Sequence, residues 1–395
     1  MISIETQHFN FNRTLLLAIG LWPHQKSKFG RLQTTLCFGI LTSYVIFQFT
    51  ALITRKCTAD LIIKIFSSAT FFCFYIIKYN MFWINTHHVR NLLEQLQFIC
   101  NELKDKNEFA IIKKYGNNAK LCTAISSLFA ICSTFSLILL PIWPQIFSTV
   151  LHINESRIQS QAIQITTEYF VDQEKYFYLI LLHTNTVICI GATTLTATGT
   201  MLLGCAIHAC GLFRVASYRM EQIMTIKMLQ NTNLKNRIMI CNKIFYAVKI
   251  HRKALKFTDI LISSFEGSFL LLITVSVICL SLNIYAVYRN ALLGNEEAIL
   301  LHFIVISVML LYSFIANYAG QEITNHNNHV YFTAYNIQWY MAPLHAQKMI
   351  LFILRRGNQA SNLNVAGLFV PSLESFAMLT KASMSYFTVL YSMQQ

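Results

Sequence analysis

The chain has 395 residues, of which 55% are apolar and only 12% charged, with a mean hydropathy of +0.47. A soluble protein carries about twice that share of charge, so a multidomain soluble enzyme, a disordered chain and a disulfide scaffold are all excluded. Five prolines and thirteen glycines exclude collagen-like and linker-rich designs. What remains is a chain that crosses a bilayer several times.

Crossing roughly 30 Å of hydrocarbon takes about 20 mostly apolar residues. In chain order the spans fall at about 32–54, 61–84, 121–142, 177–203, 266–288 and 298–320, with a seventh within 365–391. Five of these lie in stretches without Asp, Glu, Lys or Arg: Leu32–Thr54, Leu121–Asn154, Tyr176–Phe213, Gly267–Tyr288 and Ala298–Gln321. The span 61–84 contains Lys64 and Lys78, each near an end, where a long side chain can snorkel to the interface. The seventh contains Glu374 and Lys381 nearer its middle. The segment Ala334–Leu354 is apolar enough to resemble an eighth span, but Pro343, His345, Gln347 and Lys348 sit at its centre, and Arg355 and Arg356 follow. It reads as a helix packed within protein near the cytoplasmic face.

Cytoplasmic loops carry the Lys/Arg excess. The N-terminus and segments 85–120, 204–265 and 321–371 hold 23 of the 31 basic residues, and the opposite set holds 5. That asymmetry places the N-terminus in the cytoplasm and the C-terminus outside. The formal charge of +14 then faces anionic inner-leaflet lipid and implies no nucleic-acid partner. The orientation is opposite to that of seven-helix G-protein-coupled receptors. Two further features separate the chain from them: no cysteine in the outer loop 143–175 and no Asn-Pro pair in the last span. The eleven cysteines fall mostly in spans or cytoplasmic loops and read as free thiols. Thr14–Trp22 resembles a short signal sequence but lacks a cleavage site. Of two glycosylation sequons, at Asn12 and Asn154, only Asn154 is expected outside and modified.

The C-terminal end supplies a resemblance. Tyr335-Asn336-Ile337-Gln338-Trp339-Tyr340 is followed by Pro343, Arg355-Arg356, Ala366-Gly367 and Ser372-Leu373-Glu374-Ser375-Phe376. The chain then runs through Lys381-Ala382-Ser383-Met384-Ser385-Tyr386-Phe387-Thr388-Val389-Leu390. This resembles the C-terminal signature of insect odorant receptors, and Gly20-Leu21-Trp22-Pro23 resembles that family's N-terminal segment. The gustatory relatives end in a Thr-Tyr…Gln-Phe pattern; here Ser385-Tyr386 stands at the start and no Gln-Phe follows.

The resemblance implies an odorant-gated, non-selective cation channel subunit that forms a heterotetramer with the olfactory co-receptor in the dendrite membrane of an olfactory neuron. It implies an all-α membrane protein of seven transmembrane helices whose last helix is split. Residues 1–31 would then be the cytoplasmic N-terminal segment, 32–321 helices one to six with the odorant pocket, 322–371 the cytoplasmic anchor, and 372–395 the pore helix and outer C-terminus. It also implies that Val389 is the hydrophobic gate, and that Ser392 stands where the co-receptor has Gln.

Periodicity adds that Lys381, Ser385, Thr388 and Ser392 form a polar stripe on one helical face, with Tyr386 and Val389 beside it. Such a stripe suits a water-filled pore, or alternatively an interhelical hydrogen-bond seam. Candidate ligand contacts in the outer halves of the spans are Phe71, Phe72 and Tyr75; Phe135 and Ser136; Tyr178, His183 and Thr184; Asn283; and His302, Phe303 and Ser307. Aromatics supply contact area and hydroxyls or imidazoles fix orientation, with His183 and His302 the preferred polar groups. With no counter-charge among them, the expected ligand is a small, neutral volatile. His87-His88 reads as interfacial, and His326 and His329 as lacking the further ligands a metal site needs. The run Lys249, Arg252, Lys253 and Lys256 reads as a solvated or lipid-facing surface. No phosphate loop, metalloprotease motif or catalytic triad is present, and no cofactor is implied. Alternatives are a gustatory-type channel, a G-protein-coupled receptor and a transporter, although the inverted repeats or paired Gly/Pro-broken spans usual in transporters are not seen.

Overall fold

A computed structural model of the chain describes residues 7–25, 27–54, 56–141, 165–224, 234–337, 339–342, 344–358, 365, 367 and 369–393. Among the described residues there are eleven helices and no strand. They are α1 Asn10–Ala18, α2 Lys28–Thr54, α3 Ala59–Ile84, α4 Thr86–Asn101, α5 Lys106–Leu139, α6 Phe177–Glu221, α7 Leu234–Ser263, α8 Glu266–Leu292, α9 Glu296–Asn336, α10 Leu344–Asn358 and α11 Leu373–Ser392. Six are long and apolar enough to cross a membrane: α2, α3, α5, α6, α8 and α9. Glu374 and Lys381 leave α11 less apolar than these. Large apolar side chains face outward, with Ile46, Leu128 and Phe303 each at least 60% exposed. Water would penalise that surface; hydrocarbon does not.

The charge-free stretches understate three helices. The expected span at 121–142 belongs to a helix that begins at Lys106, and those at 177–203 and 298–320 continue to Glu221 and Asn336. A helix does not stop where the bilayer does, and Lys113, Lys114 and Lys120 extend α5 beyond its apolar part. The helix expected over Ala334–Leu354 is in fact broken. α9 ends at Asn336 with Ile337 extended, a single tight turn covers Trp339–Met341, and α10 starts at Leu344. The proline at 343 brings no N–H to a continuous helix. α10 then buries Ala346, Ile350 and Ile353, one stripe at helical spacing, against α7 and α9.

α6 is the hub, packed against α5, α9, α7, α3, α2 and α1. Four of its glycines each seat a ring from a different element: Gly191 under Tyr75 of α3, Gly199 under Tyr312 of α9, Gly204 under Phe9 and Gly211 against Tyr115 of α5. Small residues let helices approach closely where lipid offers no hydrophobic drive.

The N-terminal motif is also structural. Gly20 adopts φ +74°, a left-handed turn that a side chain would strain. Beyond it Leu21 and Trp22 are buried, and the Pro23 carbonyl accepts hydrogen bonds from Arg90 of α4. Tyr79 of α3 donates to the Ile19 carbonyl at 2.9 Å. Asn12 is 2% exposed and donates to Thr200 Oγ1 at 2.8 Å, so its amide is occupied within the bundle. Asn154 lies outside the described residues.

Beside this clasp His8 stacks on His208 with centroids 5.1 Å apart, and neither ring's nitrogens have a hydrogen-bond partner. Burial, then the charges of Lys120 and Lys113, pull the His8 imidazole down from 6.5 to about 4. The unfolded chain therefore takes up a proton that the folded chain refuses. The associated stability is complete above pH 6.5 and drains as pH falls toward about 4. The melting temperature of detergent-solubilised protein should fall across that window, and His8→Phe should flatten the slope. An unchanged slope in the variant would assign the titration to another group.

Candidate functional site

Midway through the bundle, α3, α5, α6, α8 and α9 part around a cavity of about 260 Å³. That sits just below the range typical of small-molecule pockets and suits a compact ligand. The wall is overwhelmingly apolar. Phe71, Phe74, Tyr75 and Lys78 come from α3, Phe129 from α5, Leu195 and Gly199 from α6, Leu272 from α8, and Tyr312 and Asn317 from α9. The floor reaches the last helix through Pro371 and Leu379. There the chain is tightly placed: a Cβ on Gly320 of α9 would stand 2.3 Å from the Pro371 Cβ. Ser372 caps α11 by accepting from Ser375 N at 3.1 Å, so the cavity floor adjoins the first turn of that helix.

Of the residues expected to touch ligand, Phe71 and Tyr75 line this cavity. Their rings meet at 4.7 Å, and Phe72 lies 5.9 Å from both, turning toward Tyr44. Thr184 is buried, its hydroxyl returned to the Ile180 carbonyl. The two histidines are spent elsewhere. His183 is held by Tyr169 at 2.7 Å and Ser43 at 3.3 Å, tying α6 to α2 and to the segment preceding α6. His302 meets Asn283 Oδ1 at 2.8 Å, while Asn283 donates to the Ser67 carbonyl, linking α9, α8 and α3. Phe135, Tyr178 and Phe303 are at least 60% exposed, Ser136 is exposed and Ser307 half-buried, and both hydroxyls bond to their own helices. The three rings and Ser136 face away from the bundle centre.

The structure adds Lys78, Tyr312, Gly199 and Asn317, which the sequence reading did not single out as ligand contacts. By its place near a span end Lys78 is expected to snorkel. Instead it is 1% exposed, with its Nζ 4.7 Å from the centroid of the Tyr312 ring. Lys64, on the same helix, is exposed. The difference is one of helix face: Lys78 shares the inward side with Phe71, Phe74 and Tyr75 at helical spacing. An ionisable residue within a span was the available signal.

On α11, Lys381, Ser385, Tyr386, Thr388, Val389 and Ser392 are all exposed, whereas Ser383 is buried and its carbonyl accepts from Ser281 of α8. α11 thus packs on α8 and α9 by one face and leaves the polar stripe, with Val389, on the other. Elsewhere, His326 hydrogen-bonds with Tyr115 and His329 with Ser217. The basic run on α7 is not merely solvated, since Lys249 and Lys253 both pair with Glu102 at the end of α4.

A model of the 7tm odorant receptor family matches residues 58–384. The chain belongs to the odorant receptor family. The receptor superposes on the insect olfactory receptor OR5 from Machilis hrabei in complex with eugenol, with a TM-score of 0.78, at 15% identity over 98% of this chain and 99% of that one. A second structure of OR5 from Machilis hrabei gives a TM-score of 0.74, again at 15% identity over 97% of both chains. At that identity the likeness shows a shared fold. No curated protein matches the sequence significantly. The receptor is thus an all-α, multi-pass protein of the plasma membrane, in a family of receptors rather than enzymes.

Proposed function

We propose that the receptor binds a small volatile odorant in the mid-bundle cavity and gates a non-selective cation channel as a subunit of a heterotetramer with the olfactory co-receptor. The supporting observation is the cavity's reach: one mostly apolar space touches Phe71 and Tyr75 as well as Pro371 and Leu379. A ligand there can favour one placement of α11 over another, and it shifts the equilibrium by its differential affinity for the two. The exposed face of α11 then borders the pore, with Val389 as the apolar ring that closes it by dewetting and Lys381, Ser385 and Ser392 along the wall. The N-terminus is cytoplasmic on the basic-residue count. Residues 322–371 serve as the inner anchor, and Asn154 is the outward sequon.

Recording from cells that express the receptor with the co-receptor tests this. Volatiles should evoke cation current, and Val389→Ala should raise basal current several-fold while leaving the order of ligand potency unchanged. Current that needs no co-receptor points to a gustatory-type channel. A Val389→Ala variant with altered ligand preference and wild-type basal current overturns the gate assignment.

A further inference from the structure

One amine, that of Lys78, lines the cavity, and no carboxylate does. Lys78 is 1% exposed, and no Asp or Glu lines the space around it. Its ammonium rests over the Tyr312 ring at 4.7 Å. Phe74 braces that ring edge-on at 5.6 Å, and Gly199 makes room for it, since a Cβ there would lie 2.9 Å from Tyr312 Cε2. The seat is therefore built from three helices to hold one amine.

A ring face offsets only part of what an ammonium loses on leaving water. The amine carries three donors, and no lining carboxylate accepts from them. An oxygen acceptor brought in by a ligand supplies such a partner, and it does so in a mostly apolar wall where a hydrogen bond is stronger than in water. An amine ligand would meet like-charge repulsion at the same point. The rest of the wall is mostly apolar and accepts a hydrocarbon tail, with the Asn317 amide and a few hydroxyls such as Ser276 and Thr200 as its other polar groups.

Resting on the reading of this cavity as the odorant site, we propose that the receptor is tuned to small aliphatic ligands with a carboxyl oxygen at one end, held by Lys78 Nζ over Tyr312. An ester keeps to the small, neutral volatile that the sequence suggests, and a free acid departs from it. The shared chemistry is the carboxyl oxygen, which a free acid or its ester can present.

The test uses full-length receptor with the co-receptor, and hexanoic acid, methyl hexanoate and heptane as probes within a broad volatile panel. Wild type should respond to the acid, the ester or both, and Lys78→Met should weaken those responses about ten- to a hundredfold. The response to purely apolar volatiles should stay within twofold. An acid-only response identifies an ion pair, and a response to both identifies a hydrogen bond that needs no charge on the ligand; either supports the proposal. If Lys78→Met does not reach the surface, Lys78→Gln carries the test, with the acid response lost and the ester response retained. Equal loss for oxygenated and apolar probes overturns the proposal, because that is a packing defect. So does a wild-type receptor that answers only volatiles lacking a carboxyl oxygen, which would leave the odorant-site reading intact. A surface-expressed receptor that answers no volatile defeats that reading itself.

Discussion

Glu108→Ala should destabilise the receptor by about 3–5 kcal/mol, the cost of leaving a buried charge without its partner. Glu108 sits in the first turn of α5, where Asp105 caps the helix by accepting from Asn107 N. Its two carboxylate oxygens accept from Arg219 Nε at 2.6 Å and Nη2 at 2.8 Å, and the Arg219 Nη1 donates to the Tyr246 carbonyl of α7 at 3.0 Å. With side-chain exposures of 19% and 8% for Arg219 and Glu108, water screens this pair poorly. One guanidinium thus ties three helices together beyond the cavity, on the extension that links α6 to the inner helices. Melting in detergent should rank wild type well above Glu108→Ala, and the double variant Glu108→Leu/Arg219→Met should recover most of the difference, because it removes both charges together. A double variant as unstable as the single one would show that the loss came from packing.

Gly191→Ala should cost odorant potency tenfold or more while the receptor still reaches the membrane. A Cβ at Gly191 would stand 2.0 Å from Tyr75 Cδ2 and 2.3 Å from Cε2, far inside contact distance. The Tyr75 ring is 2% exposed and flanked by Phe71 and Phe72, so its free direction is into the cavity it lines. Overpacking of this kind costs about 1–3 kcal/mol, which the bundle can absorb, while a displaced ring takes room from a cavity of about 260 Å³. Dose–response curves should shift more for longer ligands than for shorter ones. Trimming the ring in Gly191→Ala/Tyr75→Leu should restore the longer ones. Unchanged potency in Gly191→Ala would place the odorant outside this cavity.

Composition, charge-free lengths and the distribution of 31 basic residues determined that the chain is an all-α membrane protein. Each of these properties is one-dimensional, which is why a sequence displays them. The C-terminal signature carried the family in the same way. The faces of the helices were another matter. A span that is apolar all round has no polar side to mark its orientation, so Phe135 and Phe303 in the sequence looked no different from Phe71, yet they face outward while Phe71 lines the cavity. His183 and His302 stood out as polar groups, but only the packing of α2, α3, α8 and α9 shows that their nitrogens are used between helices. Lys78 is the sharpest instance. Its place near a span end permitted snorkelling, and the tertiary structure decided otherwise because Gly199 and Tyr312, more than a hundred residues away, form the seat that keeps it inside.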